Sequence, residues 1–352
     1  MRSKLPELWQ SEGPLQWALR PVSWLYGALA ALRRGLFAAG LLQTHRLDVP
    51  VIIVGNRIVG GAGKTPTLMA LLGRLSEAGY RPGVVSRGHG RHQDTCMPVH
   101  DGLGAQDVGD EPLLIHRRTG VPVWVGRDRV AAAQALRTAH PHVDLLVCDD
   151  GLQHLRLGRD VEIIVFDERG AGNGALLPAG PLREPLGVPA RGKAMIVLYN
   201  AAAPSTPLPG YLAQRKLQGA VTLPDWWAGR PATPDALAAL RSRPVLAAAG
   251  LAWPGRFFAA LRTAQLTVQE LALPDHFDHA TLPWPPEARD VLVTEKDAVK
   301  LDPVRVARER PGTTVWVVPL VFEPEPAFFD AVLKALPGVG QARQAGPARQ
   351  TS

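Results

Sequence analysis

The sequence predicts an α/β protein made of a parallel-sheet domain, a second, smaller α/β domain and an N-terminal amphipathic helix. Two observations predict this architecture. Short apolar runs rich in β-branched residues alternate with helix-like segments, and a glycine-rich loop joins the first such run to a helix. The chain has 352 residues, more than the roughly 100 to 200 residues of one typical domain, which favours two compact cores.

Composition and charge exclude several classes of protein. A hydrophobic content of 46% and a charged content of 20% argue against a disordered chain and a polytopic membrane protein. The only cysteines, Cys96 and Cys148, have no metal-ligand spacing, so neither a disulfide framework nor a structural zinc site is expected. The net charge of +7 favours anionic partners, but no nucleic-acid-binding module is recognisable, so we expect no nucleic-acid partner.

An apolar and aromatic segment of helical rhythm runs from Pro14 to Leu42. Its uncharged stretch, from Pro21 to Leu32, is too short to span a bilayer, which takes about 20 apolar residues. Arginines flank four aromatic residues that suit a helix lying in a membrane interface: Trp9, Trp17, Trp24 and Tyr26. Packing of the same helix on the protein's own core remains an open alternative.

A predicted buried strand, Val49 to Val54, leads into the loop GNRIVGGAGKTP, and a helix-like segment follows from Thr65 to Gly79. A loop that wraps nucleotide phosphates needs glycines whose backbone N–H groups converge on the anion, then a lysine, then a hydroxyl for Mg²⁺. The loop supplies these parts in that order, although Ile58 stands where the strict Walker A motif has its first glycine. We therefore predict a P-loop NTPase-like domain.

The predicted nucleotide-binding residues of this loop are Ile58, Val59, Gly60, Gly61, Ala62, Gly63, Lys64 and Thr65.

Acidic residues follow two later segments. The apolar run from Asp144 ends in Asp149 and Asp150, at the carboxyl end of a strand, where ligands of open α/β sheets sit. This pattern predicts a Walker B site for Mg²⁺. Asp110 and Glu111 open a helix, where they either favour its N-terminus or supply the carboxylate that accepts a proton from an attacking hydroxyl.

A long Gly- and Pro-rich loop, residues 170–185, separates two further predicted strands. Loops of this length inside a compact domain are usually functional or mobile. Its charged members, Arg183 and Glu184, are candidates for holding nucleotide or acceptor. We predict a helical segment over residues 1–47, a P-loop kinase domain over 48–203, a smaller α/β domain over 204–337 and a disordered tail over 338–352.

The segment LPDHFDH contains a dense cluster of His and Asp. Three interpretations remain open: a metal site, a decorated turn, or a histidine that orients or protonates a catalytic carboxylate from the other domain. The residues concerned are Asp275, His276, Asp278 and His279.

The motifs VPVIIVGN with GGAGKTP, VVSRGHGR, GDEP, VGRDR, DDGLQH, LLPAGPLREP, DHF and TEKDAVK occur in one order. This ordered set, from about Pro14 to about Leu336, closely resembles the tetraacyldisaccharide 4′-kinase family. The resemblance implies an ATP-dependent kinase, peripheral at the cytoplasmic face of the bacterial inner membrane and attached through its N-terminal helix. It implies phosphorylation of the 4′-hydroxyl of tetraacyldisaccharide 1-phosphate in lipid A biosynthesis, with no obligate protein partner.

The resemblance also implies roles for individual residues. Lys64 and the loop amides would hold the phosphates of ATP. Thr65, Asp149 and Asp150 would hold Mg²⁺. Asp110 matches the family's catalytic aspartate, with His276 as its partner across the cleft between the domains.

Arginines would assist the transfer, since it depends on positioning and charge stabilisation. Arg129 and Arg183 are the stronger candidates and Arg87 the weaker one. The chain departs from the family at Ala62, where Thr is frequent, without loss of a backbone donor. It also lacks a second consecutive His in LPDHFDH, which leaves His279 a structural role.

The alternative function is a membrane-associated P-loop ATPase switch of the partitioning type. The variant glycine loop of such ATPases carries a lysine at the position that Ile58 occupies in this chain, and this difference counts against the alternative. Turnover of ATP without an acceptor would favour the switch.

Overall fold

The computed structural model describes residues 9–11, 13–91 and 94–338. All of the predicted tail beyond residue 338, and residues 1–8 of the predicted N-terminal segment, lie outside these ranges. The helices of the described chain are α1 Pro14–Ala38, α2 Lys64–Glu77, α3 Ala105–Val108, α4 Asp110–Thr119, α5 Arg129–Ala139, α6 Leu223–Trp227, α7 Pro234–Ala239, α8 Pro254–Thr263, α9 Glu295–Ala298, α10 Pro303–Glu309 and α11 Pro326–Ala335, with a 3₁₀ turn at Leu240–Ser242.

The strands are β1 Val51–Gly55, β2 Pro82–Ser86, β3 Met97–Pro98, β4 Val123–Val125, β5 Leu145–Asp149, β6 Val161–Asp167, β7 Ala194–Asn200, β8 Tyr211–Leu217, β9 Val221–Thr222, β10 Val245–Ala249, β11 Val268–Ala272, β12 Asp290–Val293, β13 Thr314–Val317 and β14 Leu320–Pro324.

The larger sheet has the order β14-β8-β7-β6-β1-β5-β2-β4-β3. Its strands are parallel from β4 to β8, and only the edge strands β3 and β14 run antiparallel to their neighbours. The central strands are buried along their whole length, because helices cover both faces of a parallel sheet. The continuous apolar runs of the sequence have this cause, and the predicted α/β class is confirmed.

The smaller sheet has the order β11-β10-β12-β13-β9, with β9 antiparallel to β13 and the rest parallel. Strands β8 and β14 pair with each other and extend the larger sheet through β7. Residues 204–337 therefore contribute strands to both sheets. The division of the chain at residue 203 stays a prediction.

Strand register positions the acidic residues beside the glycine loop. Strand β1 lies between β5 and β6, and Val54 pairs with Asp149. The loop that leaves β1 and the turn that leaves β5 therefore start side by side, at the edge where parallel strands present ligand sites.

Helix α1 ends at Ala38, four residues before the predicted end. One of its faces packs on the loop after β6: Ser23 Oγ donates to the carbonyl of Leu176 and the Tyr26 hydroxyl donates to that of Arg183, both at 2.9 Å. Trp9 is buried, and its indole N–H donates to the carbonyl of Pro178. For Trp9 the structure therefore agrees with the alternative of packing on the protein's own core, because its polar atom is satisfied inside the protein.

The outward face of α1 is apolar. Six of its large apolar side chains are more than half exposed: Trp17, Val22, Trp24, Leu25, Leu29 and Leu32. No helix in the described part of the chain is long and apolar enough to cross a bilayer.

Candidate active site

Glycine geometry shapes the loop between β1 and α2. Gly60 and Gly63 both have a φ of 95°, a left-handed conformation that side chains disfavour. A Cβ on Gly63 would lie 1.9 Å from Nδ2 of Asn200, which donates to the carbonyl of Ala62 at 2.9 Å. Asn200, at the end of β7, thus holds the loop that follows β1, although β6 lies between these two strands. Sequence analysis did not predict this contact.

Lys64 opens α2 with its ammonium directed back over the loop. Its Nζ lies 3.6 Å from Asp150 Oδ1 and 3.4 Å from Asn56 Oδ1. Arg183 approaches the same Asp150 oxygen at 3.3 Å. Burial alone would raise the pKa of Asp150, but the charges of Lys64 and Arg183 hold it below its ordinary value.

Asp149 is nearly completely buried and accepts a hydrogen bond from Ser86 Oγ at 3.1 Å. Its Oδ1 is buried without a hydrogen-bond partner among the described residues. Burial, together with the carboxylates of Glu111 and Asp150, raises the pKa of Asp149 to about 7. A nearby cation stabilises the ionised form of a buried carboxylate whose pKa is raised in this way.

Three or more metal-ligating side chains do not gather at any point of the described residues. The metal-site interpretation of LPDHFDH therefore finds no support in the described chain.

Not every predicted nucleotide-binding residue faces the cavity. Ile58 forms a backbone bridge with Leu182, and the Val59 N–H donates to the carbonyl of Pro181 at 2.9 Å. Glu184 is buried, accepts from Gln153 at 2.9 Å and pairs with Arg191. The contacts of Ile58 and Val59 connect the glycine loop to the loop after β6, whereas Glu184 is bound to Gln153 and Arg191.

The predicted arginines lie at the cavity. Arg129, at the start of α5, is buried and donates to the carbonyl of Arg127 at 3.1 Å, while its Nε has no partner among the described atoms. Arg129, Arg183 and Arg87 all line the cavity together with Thr65.

The geometry brings Asp110 and His276 together. Asp110 begins α4, and His276 follows β11 of the smaller sheet with a φ of 57°. His276 Nδ1 lies 2.9 Å from Asp110 Oδ2, and the N–H of Glu111 donates to Asp110 Oδ1 at 2.9 Å. The interpretation of His276 as a partner for a distant carboxylate agrees with this contact.

Two lysines of the TEKDAVK segment complete this site, and sequence analysis gave them no role. Lys296 Nζ and Lys300 Nζ lie 3.9 and 4.0 Å from Asp110 Oδ2. Burial alone would raise the pKa of Asp110, but the hydrogen bond from His276 and the two ammonium groups lower it to about 2. No local signal in the sequence marked either lysine as part of this site.

His279 is completely buried, and its Nε2 lies 3.1 Å from Asp297 Oδ1. Asp297 also accepts hydrogen bonds from the N–H of Gly250 and from Thr294 Oγ1. His279 is therefore part of the core that supports the 273–279 loop, as predicted.

A cavity of about 1090 Å³ lies at this site. Asp110 is buried and adjoins the cavity through His276, which lines it. The cavity wall includes Lys64, Asp149 and Asp150 from the larger sheet and His276 and Lys296 from the connections of the smaller one. It offers cationic and backbone donors for phosphates, carboxylates for a cation, and an imidazole that is paired with the buried carboxylate of Asp110.

Comparison with known proteins gives one consistent result. The family model described as tetraacyldisaccharide-1-P 4′-kinase matches residues 15–337. A tetraacyldisaccharide 4′-kinase of Leptothrix cholodnii is 57% identical over 96% of this chain and 97% of its own. One of Methylibium petroleiphilum is 58% identical over 97% of this chain and 95% of its own. The crystal structure of LpxK from Aquifex aeolicus in complex with ATP superposes with a TM-score of 0.74 at 28% identity, covering 92% of this chain and 100% of that one.

Proposed function

The chain belongs to the tetraacyldisaccharide 4′-kinase family, and on that premise we propose how its residues transfer the γ-phosphate of ATP to the 4′-hydroxyl of tetraacyldisaccharide 1-phosphate. The protein is a kinase of lipid A biosynthesis. One observation carries the assignment of residues: Lys64, Asp149 and His276 line a single cavity, and His276 lies within hydrogen-bonding distance of the buried Asp110. The family match gives no support to the partitioning-type ATPase switch.

The ATP phosphates bind in the glycine loop. The cradle begins at Gly60, because the N–H of Val59 is bonded to Pro181. The N–H groups up to Thr65 and the Lys64 ammonium donate to phosphate oxygens, as at other helix N-termini that follow glycine-rich loops. Arg129 and Arg183 line the same cavity and stabilise charge on the transferring phosphate.

Thr65, Asp149 and Asp150 fit a magnesium site. The supporting observation is the buried Oδ1 of Asp149, which no described donor satisfies. Oxygen ligands of this kind are those that Mg²⁺ prefers. The ion, when bound, neutralises charge on the phosphate oxygens.

Asp110 is the base. It is ionised at neutral pH, and His276 orients it through Oδ2. The 4′-oxygen forms its bond to the γ-phosphorus as the bond to the ADP oxygen breaks, and the hydroxyl proton passes to Asp110. A weak base suffices, because the hydroxyl becomes strongly acidic only once its oxygen is bonding to phosphorus.

Helix α1 brings the enzyme to its acceptor. An acceptor with acyl chains partitions into a bilayer, and the outward face of α1 exposes Trp24, Leu25 and Leu29. An apolar helix face of this type binds in the plane of the membrane interface. The enzyme is thus peripheral, and its use of ATP assigns it to the cytoplasmic face of the inner membrane.

Transfer of labelled γ-phosphate to tetraacyldisaccharide 1-phosphate in mixed micelles tests this function. We expect labelled lipid that depends on Mg²⁺, and little free phosphate when the acceptor is omitted. Release of free phosphate at the same rate with and without acceptor would contradict the proposal.

A further inference from the structure

Lys296 is a largely buried ammonium beside the imidazole of His276. Its side chain is 16% exposed. Its Nζ lies 3.3 Å from His276 Nε2, 3.3 Å from Asp275 Oδ1 and 3.4 Å from Glu111 Oε1. The three protons of one ammonium thus have three acceptors within reach.

Lys296 keeps its proton in this position. Burial alone would lower its pKa, but the carboxylates of Glu111, Asp110 and Asp275 together raise it above the ordinary value. An ammonium can only donate. The nearby Nε2 of His276 must therefore be the unprotonated, accepting nitrogen of the ring.

The other ring nitrogen is constrained from the opposite side. His276 Nδ1 lies 2.9 Å from Asp110 Oδ2, and an ionised carboxylate can only accept. Nδ1 must therefore carry the proton. Asp110 thus fixes a proton at Nδ1, and Lys296 favours an unprotonated Nε2; the two contacts together give a neutral ring that is protonated at Nδ1.

We propose that Lys296 is a positioning residue that donates to Nε2 of His276 and so holds the imidazole as the neutral Nδ1–H tautomer. This inference rests on the proposed role of Asp110 as base. A neutral ring orients Asp110 by hydrogen bonding without adding a full positive charge beside it. An imidazolium at the same distance would make Asp110 a weaker base.

Lys296 is needed because Asp110 favours the opposite state. The hydrogen bond to Asp110 raises the pKa of His276, whereas burial and the charge of Lys296 lower it. Asp275 also favours the charged ring, with its Oδ2 3.9 Å from Nε2, and the ring of His89 lies 5.1 Å away. Among these charged neighbours of His276, Lys296 is the cation that opposes protonation.

Lys300 provides a matched control. Its Nζ lies 4.0 Å from Asp110 Oδ2, against 3.9 Å for Lys296. Its other charged neighbour is Asp297, at 3.6 Å. Substituting either lysine by Met removes the same charge at the same distance from Asp110, but only the Lys296 substitution removes a donor to His276.

The direct test is ¹⁵N NMR of the full-length protein labelled at histidine, at pH 8.5, with His276 assigned from the spectrum of His276→Gln. We expect a protonated Nδ1 and an unprotonated Nε2 in the wild type and in Lys300→Met. In Lys296→Met we expect a mixture that includes protonated Nε2. A wild-type His276 protonated at Nε2, or an unchanged ring in Lys296→Met, would overturn the proposal.

The pH profile of kcat separates this role from simple packing. In Lys296→Met we expect the acidic limb to move to higher pH by about one unit, with partial recovery in Lys296→Arg and no movement in Lys300→Met. An equal loss of kcat at every pH would overturn the proposal. If the proposed function is wrong, the wild type will not phosphorylate the lipid, but the NMR result will be unchanged. Failure of the proposed function can therefore be told apart from failure of the role proposed for Lys296.

Discussion

Asp110 Oδ2 and His276 Nδ1 lie 2.9 Å apart although 166 positions separate them in the chain. Asp110 begins a helix beside the larger sheet, and His276 follows the edge strand of the smaller sheet. The pair is therefore complete only when the connections of both sheets are in contact. The positive φ of His276 places strain at the point where the pair forms.

The energetic coupling of this pair depends on pH. Asp110 has a folded pKa of about 2, below its unfolded value, so its contribution to stability is present above about pH 4 and is lost as pH falls through 2. His276 has a raised folded pKa, so its contribution is present below its unfolded pKa and is lost as pH rises through the folded one.

A double-mutant cycle of Asp110→Asn and His276→Gln should give a coupling free energy of roughly 1 to 3 kcal/mol at pH 5.5.

The same cycle at pH 8.5 should give a smaller coupling in the free energy of urea unfolding. An equal or larger coupling at pH 8.5 would show that the ion pair is not the source of the interaction.

Substitution of Gly63 by Ala should disrupt nucleotide binding. The residue has a φ of 95°, and its new Cβ would meet Asn200 at 1.9 Å. We expect the affinity for ATP to fall at least about tenfold, because a cost of 1 to 2 kcal/mol accompanies the left-handed conformation alone. Isothermal titration calorimetry measures this.

Gly73 is the matched control for Gly63. It lies within α2, the helix that Gly63 precedes, and no atom lies within 4 Å of the position that a Cβ would take. Gly73→Ala should leave ATP affinity unchanged and raise the free energy of unfolding by up to about 1 kcal/mol. Equal effects of the two substitutions on ATP affinity would contradict the account of the loop.

Lys64→Ala should lower kcat by at least about a hundredfold, because it removes a cation from the site of developing charge. Its ammonium lies 3.6 Å from Asp150 and lines the cavity. Lys334→Ala, which removes an exposed lysine of α11, is the control and should have no effect on kcat. Steady-state kinetics with the lipid acceptor compares them, and similar kcat values for both variants would refute the phosphate-loop assignment.

Replacing Leu25 and Leu29 of α1 by Glu should weaken binding to vesicles of phosphatidylethanolamine and phosphatidylglycerol. Both side chains are about 60% exposed, at 61% and 58%. Loss of two leucines that would insert into the membrane interface should lower the partition coefficient by at least about tenfold. Sedimentation of the protein with vesicles measures this coefficient.

Val304→Glu introduces one negative charge, against two in the α1 variant, at an apolar residue that is 75% exposed on α10. It should leave vesicle binding unchanged. If it weakens binding as much as the substitutions in α1, the membrane-facing surface has been assigned to the wrong helix.

Much of the larger sheet could be predicted because local signals agreed with the final fold. The apolar runs from Val49 and Asp160 are buried strands, and the glycine loop lies between a strand and a helix as its composition predicts. The strands Tyr211–Leu217 and Leu320–Pro324 had no such signal, since an antiparallel pair at a sheet edge is only partly buried. Their place in the larger sheet depends on long-range pairing.

The site shows the same limit. Lys64, Asp149 and Asp110 could be proposed because each lies in a local motif. Asn200 and Lys296 could not, because their roles arise from contacts between distant segments, at 138 positions to Ala62 and 20 to His276. A sequence motif marks the residues of one loop, whereas the fold decides which loops meet.

Asp110 acts as the base in the proposed phosphorylation of the lipid acceptor. The most direct measurement is kcat for phosphate transfer from ATP to tetraacyldisaccharide 1-phosphate by wild type, Asp110→Asn and Asp235→Asn, together with the Kd for ATP of each. Asp235 is an exposed carboxylate of α7. We expect Asp110→Asn to lose about a thousandfold in kcat and to retain its affinity for ATP, whereas Asp235→Asn should match the wild type. Near-normal turnover by Asp110→Asn would contradict it.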